Sequence, residues 1–144
     1  MRRTAQADPP VEIQTRLLDI VVPYTDQELT AEAIAAAEKL ANGLGASVRV
    51  LCLEAVPYTM ELRQPRVDLD FLRTRLQALP SAGPFRCEIV LTRDADEALL
   101  RRLHADSIVM LTSRRHFWRT AQERLADRIR RAGFRVVLAY KEKK

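Results

Sequence analysis

Short continuous apolar runs alternate along this chain with stretches whose apolar residues recur every three to four positions. Leu17–Val22 is the first run. It contains Ile20, Val21 and Val22, and Pro23 stops it. Its length and β-branched content predict a buried strand. Thr25-Asp26-Gln27-Glu28 follows, with Thr25 and Glu28 at the spacing of a capping box. Leu29, Ala33, Ala36, Ala37, Leu40 and Leu44 then fall on one helical face, and Gly43 and Gly45 end the helix. Ser47–Leu53 predicts a second strand, and Glu54–Arg66, with Pro57 and Pro65, a loop. Val67–Leu79 places Leu69, Leu72, Leu76 and Leu79 at helical spacing, with Pro80 after them. Arg86–Leu91 predicts a third strand. Asp94–Leu103 predicts a third helix with Ala95, Leu99 and Leu103 inward. Ser107–Leu111 predicts the fourth strand. Trp118, Ala121, Leu125, Ile129 and Ala132 form the inner stripe of a fourth helix, Gly133 closes it, and Arg135–Tyr140 predicts the fifth strand.

Strands and helices therefore alternate strictly. Continuous apolar strands separated by helices imply an open parallel sheet with helices on both faces, an α/β fold. Right-handed crossovers leave few ways to wind it. Residues 1–15, with Pro9-Pro10 and no periodicity, read as a flexible lead. Residues 16–144 read as a single domain, and 144 residues are enough for a full core. The apolar runs are far shorter than the roughly 20 residues a membrane helix needs, so no membrane insertion is expected. No apolar stretch follows the two N-terminal arginines, so they do not open a secretory signal. Cys52 and Cys87 are few and far apart, as suits reduced thiols in a cytoplasmic protein rather than a disulfide or metal site.

The segment LLDIVVPYTDQELTAEAIAAAEKLANGLGASVRVLCL, Leu17–Leu53, gives a strand, a long Ala-rich helix, a Leu-Gly-Ala turn and a second strand. ADSIVMLTSRR, Ala105–Arg115, gives an Asp-x-Ile-Val-Met run into a loop. On these segments the chain resembles the universal stress protein family over roughly Arg16–Tyr140. The resemblance implies a five-stranded parallel sheet in the order 3-2-1-4-5 and a homodimer, often formed through the last strand. ATP-binding members carry an Asp just after the first strand, where this chain has Pro23, with Asp26 three residues later. They also carry Gly-x2-Gly-x9-Gly-Ser/Thr after the fourth strand. Here no glycine occurs between Ile108 and Gly133. No ATP-binding residue carries over. The resemblance thus implies a cytoplasmic, non-ATP-binding protein that acts as a dimeric stress-response or regulatory adaptor, with a protein partner and no cofactor.

In the order 3-2-1-4-5, ligands favour the crevice at the carboxyl ends of strands one and four, where the winding reverses. Tyr24, Thr25, Thr112, Ser113, Arg114 and Arg115 are the residues expected to line it. Their hydroxyls and guanidiniums would hold a nucleotide or phosphate by charge-assisted hydrogen bonds in place of a glycine cradle, which makes a phosphate-ligand module the alternative function. Bulky side chains on that loop would fill the space ATP needs. No reaction is legible. Ser113 lies near His116 without a Gly-x-Ser-x-Gly elbow, so no catalytic residue is assigned and no enzyme is expected. A phosphorelay receiver needs acidic residues at the end of strand one, where Val22-Pro23-Tyr24 offers none. His104 and His116 are the only histidines, and no Cys/His cluster has metal-ligand spacing. His104, at the end of the third helix, suits the helix dipole.

Charge adds one further alternative. Arg114–Lys144 carries 11 Lys and Arg against 3 Asp and Glu, a balance of +8, whereas Met1–Ser113 carries 13 against 16, or −3. A basic C-terminal third suits an acidic partner or nucleic acid, with Phe117 and Trp118 as a stacking surface beside the arginines. Helical phase assigns Trp118 to the core instead. Finally, Val136, Val137, Leu138, Ala139 and Tyr140 are expected at the dimer interface. Val136, Leu138 and Tyr140 point to one face of the last strand and Val137 and Ala139 to the other, with neither face obviously solvent-facing.

Overall fold

The computed structural model describes residues 18–56, 69–79 and 85–141. Five strands, β1 (Asp19–Pro23), β2 (Ser47–Ala55), β3 (Arg86–Thr92), β4 (Ser107–Arg114) and β5 (Arg135–Lys141), alternate with four helices, α1 (Gln27–Leu44), α2 (Leu69–Gln77), α3 (Ala95–Arg101) and α4 (Ala121–Arg131). All strand pairs are parallel, and the sheet runs β3-β2-β1-β4-β5, the expected order. The expected lead at residues 1–15 and the loop from Pro57 to Arg66 lie outside the described residues.

Strand alternation sends each face to its own helices. Ile20, Val22, Val50, Cys52 and Met110 pack under α1 and α2, against Ala33, Ile34, Ala37, Ala41, Leu76 and Leu79. Val21, Leu51, Val109 and Leu111 pack on the other side, against Leu99, Leu103, Ala126 and Ile129. A strand covered on both faces has no solvent side, and so β1 and β4 read as unbroken apolar runs.

The amino end of the sheet is tied by one half-buried guanidinium. Arg49 of β2 bonds both carboxylate oxygens of Asp19 on β1, at 2.7 and 3.3 Å, and Glu88 on β3 at 3.1 Å. Asp19 also accepts from Ser107 Oγ of β4 at 3.0 Å, and Arg102 reaches Glu88 at 3.2 Å. Burial disfavours the Arg49 charge, but the hydrogen bonds it donates to Asp19 and Glu88 outweigh this and raise its pKa. This network links β1, β2, β3 and β4.

Several local expectations shift. The N-cap of α1 is Asp26, whose carboxylate accepts from Leu29 N at 2.7 Å, not Thr25. Thr25 instead donates its backbone N–H to Thr30 Oγ1, and Glu28 is drawn outward to two cations. The buried face of α1 is rotated to take in Thr30, Ile34 and Ala41, leaving Leu44 exposed. Burying Ile34 removes more apolar area from water than burying Ala36 would. Gly43 lies within the helix, and Gly45 caps it in the left-handed region at φ 64°, where a side chain would be strained. His104 lies three residues beyond the end of α3, at Arg101.

β2 runs two residues past Leu53, and β4 runs past Leu111 to Arg114. There Thr112, Ser113 and Arg114 pair with Ala139, Tyr140 and Lys141. At α4 the Thr120–Glu123 capping box starts the helix at Ala121. Trp118 precedes the cap and has no helical phase, so it is 82% exposed rather than part of the core. Ala121 and Ala132 are exposed too, Leu125 is half-buried, and Ala126 and Ile129 carry the contact.

Ile129→Ala should therefore cost about 2–5 kcal/mol in denaturant unfolding. Trp118→Ala should stay within about 0.5 kcal/mol. Equal losses at the two positions would contradict this packing. Cys52 and Cys87 are both free thiols. Cys52 is buried, which pushes its thiol up to about 11, whereas Cys87 is exposed. A thiol reagent should label Cys87 in the folded protein and Cys52 only after unfolding. Rapid labelling of both would show that the β2 face is open.

Candidate functional site

β1 and β4 are paired through Val21 and Val109 and part beyond that point. The gap lies between the central strands at their carboxyl ends, where the winding reverses. The structure does not gather the expected site residues into one cradle there.

Tyr24 turns toward α2. Its hydroxyl donates to Gln27 Oε1 at 2.9 Å, its ring lies 5.8 Å from the Arg75 guanidinium, and Gln27 bonds the Arg75 carbonyl. Thr25 borders a different space, a cleft beside α4. Thr112 and Ser113 belong to β4 and are buried. They lie on opposite faces of that strand. Ser113 Oγ meets Thr120 Oγ1 at 2.7 Å and donates to the Arg114 carbonyl at 3.0 Å. Thr112 Oγ1 has no hydrogen-bond partner, the one buried side-chain oxygen or nitrogen in that condition among the described residues.

Arg114 is already engaged. It reaches from the end of β4 to the start of α1, bonding Asp26 Oδ2 at 3.2 Å and Glu28 Oε1 at 3.1 Å. Lys141, its cross-strand partner on β5, approaches the same Glu28 oxygen at 2.5 Å. The Lys141 and Arg114 hydrogen bonds hold the Glu28 carboxyl below its usual range. The Asp26 and Glu28 hydrogen bonds raise the Arg114 pKa. Exposed pairs of this kind are screened by water and contribute little to stability. A phosphate aimed at Arg114 meets two carboxylates at the helix start and must displace both.

Arg115 is held elsewhere, 4.5 Å from the centroid of the Tyr140 ring. Tyr140 donates to Glu123 Oε2 at 2.7 Å, and Glu123 accepts from Thr120 N at 2.8 Å as the return half of the capping box. The backbone bond from Thr120, with the Tyr140 hydroxyl, lowers the Glu123 pKa, and the same bond raises that of Tyr140. The loop between Arg115 and Thr120 carries His116, Phe117 and Trp118 outward. Phe117 is fully exposed and Trp118 nearly so.

Sequence reasoning missed Asp26, Glu28, Lys141 and the Thr120–Glu123 pair. The last had a local signal, Thr-x-x-Glu ahead of a helix. The contacts of Arg114 had none, because its partners lie 86 and 88 residues away. Among the described residues no group of three or more His, Cys, Asp or Glu side chains is placed to hold a metal ion. Nor is any helix among them long and apolar enough to cross a membrane. No family model and no curated protein sequence matches the chain.

The two lowered carboxyls set an acid limb. A glutamate whose pKa is depressed on folding adds stability above its unfolded value, near 4.3. That stability is lost as pH falls through the folded value. Unfolding measured from about pH 6 to about pH 3 should show the steepest loss below the ordinary glutamate range. Glu28→Gln with Glu123→Gln should flatten that limb while preserving the capping geometry. An unchanged limb in the double variant would remove both groups from the account.

Proposed function

We propose that this chain is a universal stress protein-like cytoplasmic protein that does not bind ATP and acts as a dimeric stress-response or regulatory adaptor without a reaction of its own. The Arg114 clasp carries the reading. In a sheet wound this way, the gap between β1 and β4 is where a ligand would dock. In this chain the guanidinium at the end of β4, Arg114, is committed to Asp26 and Glu28, which also repel an incoming phosphate. Phosphate binding at glycine-rich loops relies on close approach to backbone N–H groups. Here the corresponding backbone continues as β4, paired residue by residue with β5.

The edge strand supports self-association. β5 ends the sheet next to β4 and offers its outer N–H and C=O groups to a second strand. Val136 and Leu138 pack inward toward α4, whereas Val137 on the other face is 42% exposed, so the two faces differ. Pairing β5 with β5 across a two-fold axis closes the assembly instead of extending it. Val136, Val137, Leu138, Ala139 and Tyr140 are the interface residues of this proposal.

Two measurements test it. Light scattering at high micromolar concentration should give a dimer. Val137→Pro, which removes a ladder N–H if that donor is paired, should give a folded monomer. Calorimetry with ATP should give no binding, and heat-released extracts of purified protein should hold no nucleotide. A monomer, or a dimer indifferent to Val137→Pro, contradicts the assembly. Stoichiometric ATP contradicts the adaptor reading.

A further inference from the structure

Beside α4 lies a cleft of about 570 Å³, bordered by Thr25, Leu125, Arg119, Arg124, Arg128 and Arg131. Arg124, Arg128 and Arg131 are spaced by four and three residues, which sets them along one face of the helix. All three are exposed. Two cations of the cleft are already paired: Arg119 with Asp127, and Arg128 with Asp96 at 3.1 Å. Arg124 donates to the Arg119 carbonyl at 2.8 Å. Neither Arg124 nor Arg131 has an acidic partner among the described residues. The cleft therefore keeps an excess of positive charge after its own carboxylates are counted.

The loop that leads into this cleft carries Phe117 and Trp118, 103% and 82% exposed, directly before Arg119. Two neighbouring aromatic rings in water are costly apolar surface, and here neither ring is covered by the described residues. Arginines flank them on both sides in sequence, at Arg115 and Arg119. Flat rings and a cationic groove, here joined in the chain at Arg119, are the two parts that sequence-tolerant single-strand binding uses, one for the bases and one for the phosphates.

We infer that the Arg115–Arg119 loop and the arginine face of α4 form one surface that binds single-stranded nucleic acid, with bases stacked on Phe117 and Trp118 and phosphates drawn into the cleft by Arg124 and Arg131. Charge complementarity and the rings decide the occupant together. An acidic peptide would satisfy the arginines but brings no planar group to the rings. A duplex supplies phosphates but keeps its base faces stacked inside the helix. An unpaired strand satisfies both halves of the surface. The inference does not depend on pairing through β5.

Trp118 is the only tryptophan in the chain, so its fluorescence reports the proposed stacking directly. The probe is an oligothymidine of about 15 nucleotides added to the full chain, beside a duplex of equal length and polyglutamate. The oligothymidine should quench Trp118 and bind more tightly than either control. Its affinity should fall with salt at a log–log slope of about −0.7 for each phosphate held. Trp118→Ala should weaken binding about tenfold, read by anisotropy of labelled strand, and Trp118→Phe should largely restore it. Arg124→Ala with Arg131→Ala should make the salt slope shallower by about 1.4 without changing the melting temperature. Absence of binding at about 50 mM salt overturns the proposal. So does equal binding of polyglutamate or duplex, or binding that leaves Trp118 fluorescence and the two arginines indifferent.

Discussion

β4 stays in the hydrogen-bonded ladder until Arg114, and the carboxyl end of the sheet is arranged around that fact. Ser107 to Ser113 are all buried, and the last three residues of the strand pair with Ala139, Tyr140 and Lys141. Had the strand ended at Leu111, Thr112 and Ser113 would sit in a loop with free backbone N–H groups. Extension takes Ser113 under the α4 cap and places Arg114 beside Lys141, both within reach of Glu28. The strand thus uses, for its own pairing, the backbone that a phosphate-binding loop would leave open.

The two ends of the sheet use charge differently. At the amino end, a largely buried Arg49 joins Asp19 and Glu88 through three bonds of 2.7, 3.1 and 3.3 Å. Charge-assisted bonds made from one planar guanidinium to two carboxylates fix relative strand position well. At the carboxyl end the Arg114 cluster is about half exposed. It contributes less to stability, but its carboxylates determine what can approach. Past β4 positive charge is in excess. The surface around α4 is arginine-rich, and the exposed Phe117 and Trp118 directly precede Arg119 on its border.

The sheet was legible because its information is local. Ile20-Val21-Val22 and Ile108-Val109-Met110-Leu111 are unbroken apolar runs, and strict alternation with helices leaves few windings. The strand order came from family resemblance, and the structure has that order. Errors gathered at element ends, where local signals compete. Thr25 and Asp26 both suit an N-cap, and the choice fell to Asp26. Apolar content drops at Thr112, yet β5 alongside holds the strand together for three more residues. Trp118 fits the helical period of α4 in sequence, but Thr120 starts that helix after it. The candidate site was the least legible part. Arg114, Arg115 and Tyr24 were singled out by type, while Asp26 and Glu28 for Arg114, Tyr140 for Arg115 and Arg75 for Tyr24 come from elements distant in sequence. No periodicity encodes that Arg114 meets Glu28 or that Arg115 lies over Tyr140.

Amide hydrogen exchange along β4 tests the central claim most directly. If the strand is continuous to Arg114, the β5-facing amides of the Thr112–Arg114 segment should be protected like those of Ile108–Leu111. They should open only with the sheet, because backbone bonds in a core strand exchange through global or near-global unfolding. Fast exchange from Thr112 onward, at rates like those of the exposed His116–Trp118 loop, would contradict it. The backbone would then be free to receive a ligand, and the Arg114 clasp would not define the end of the sheet.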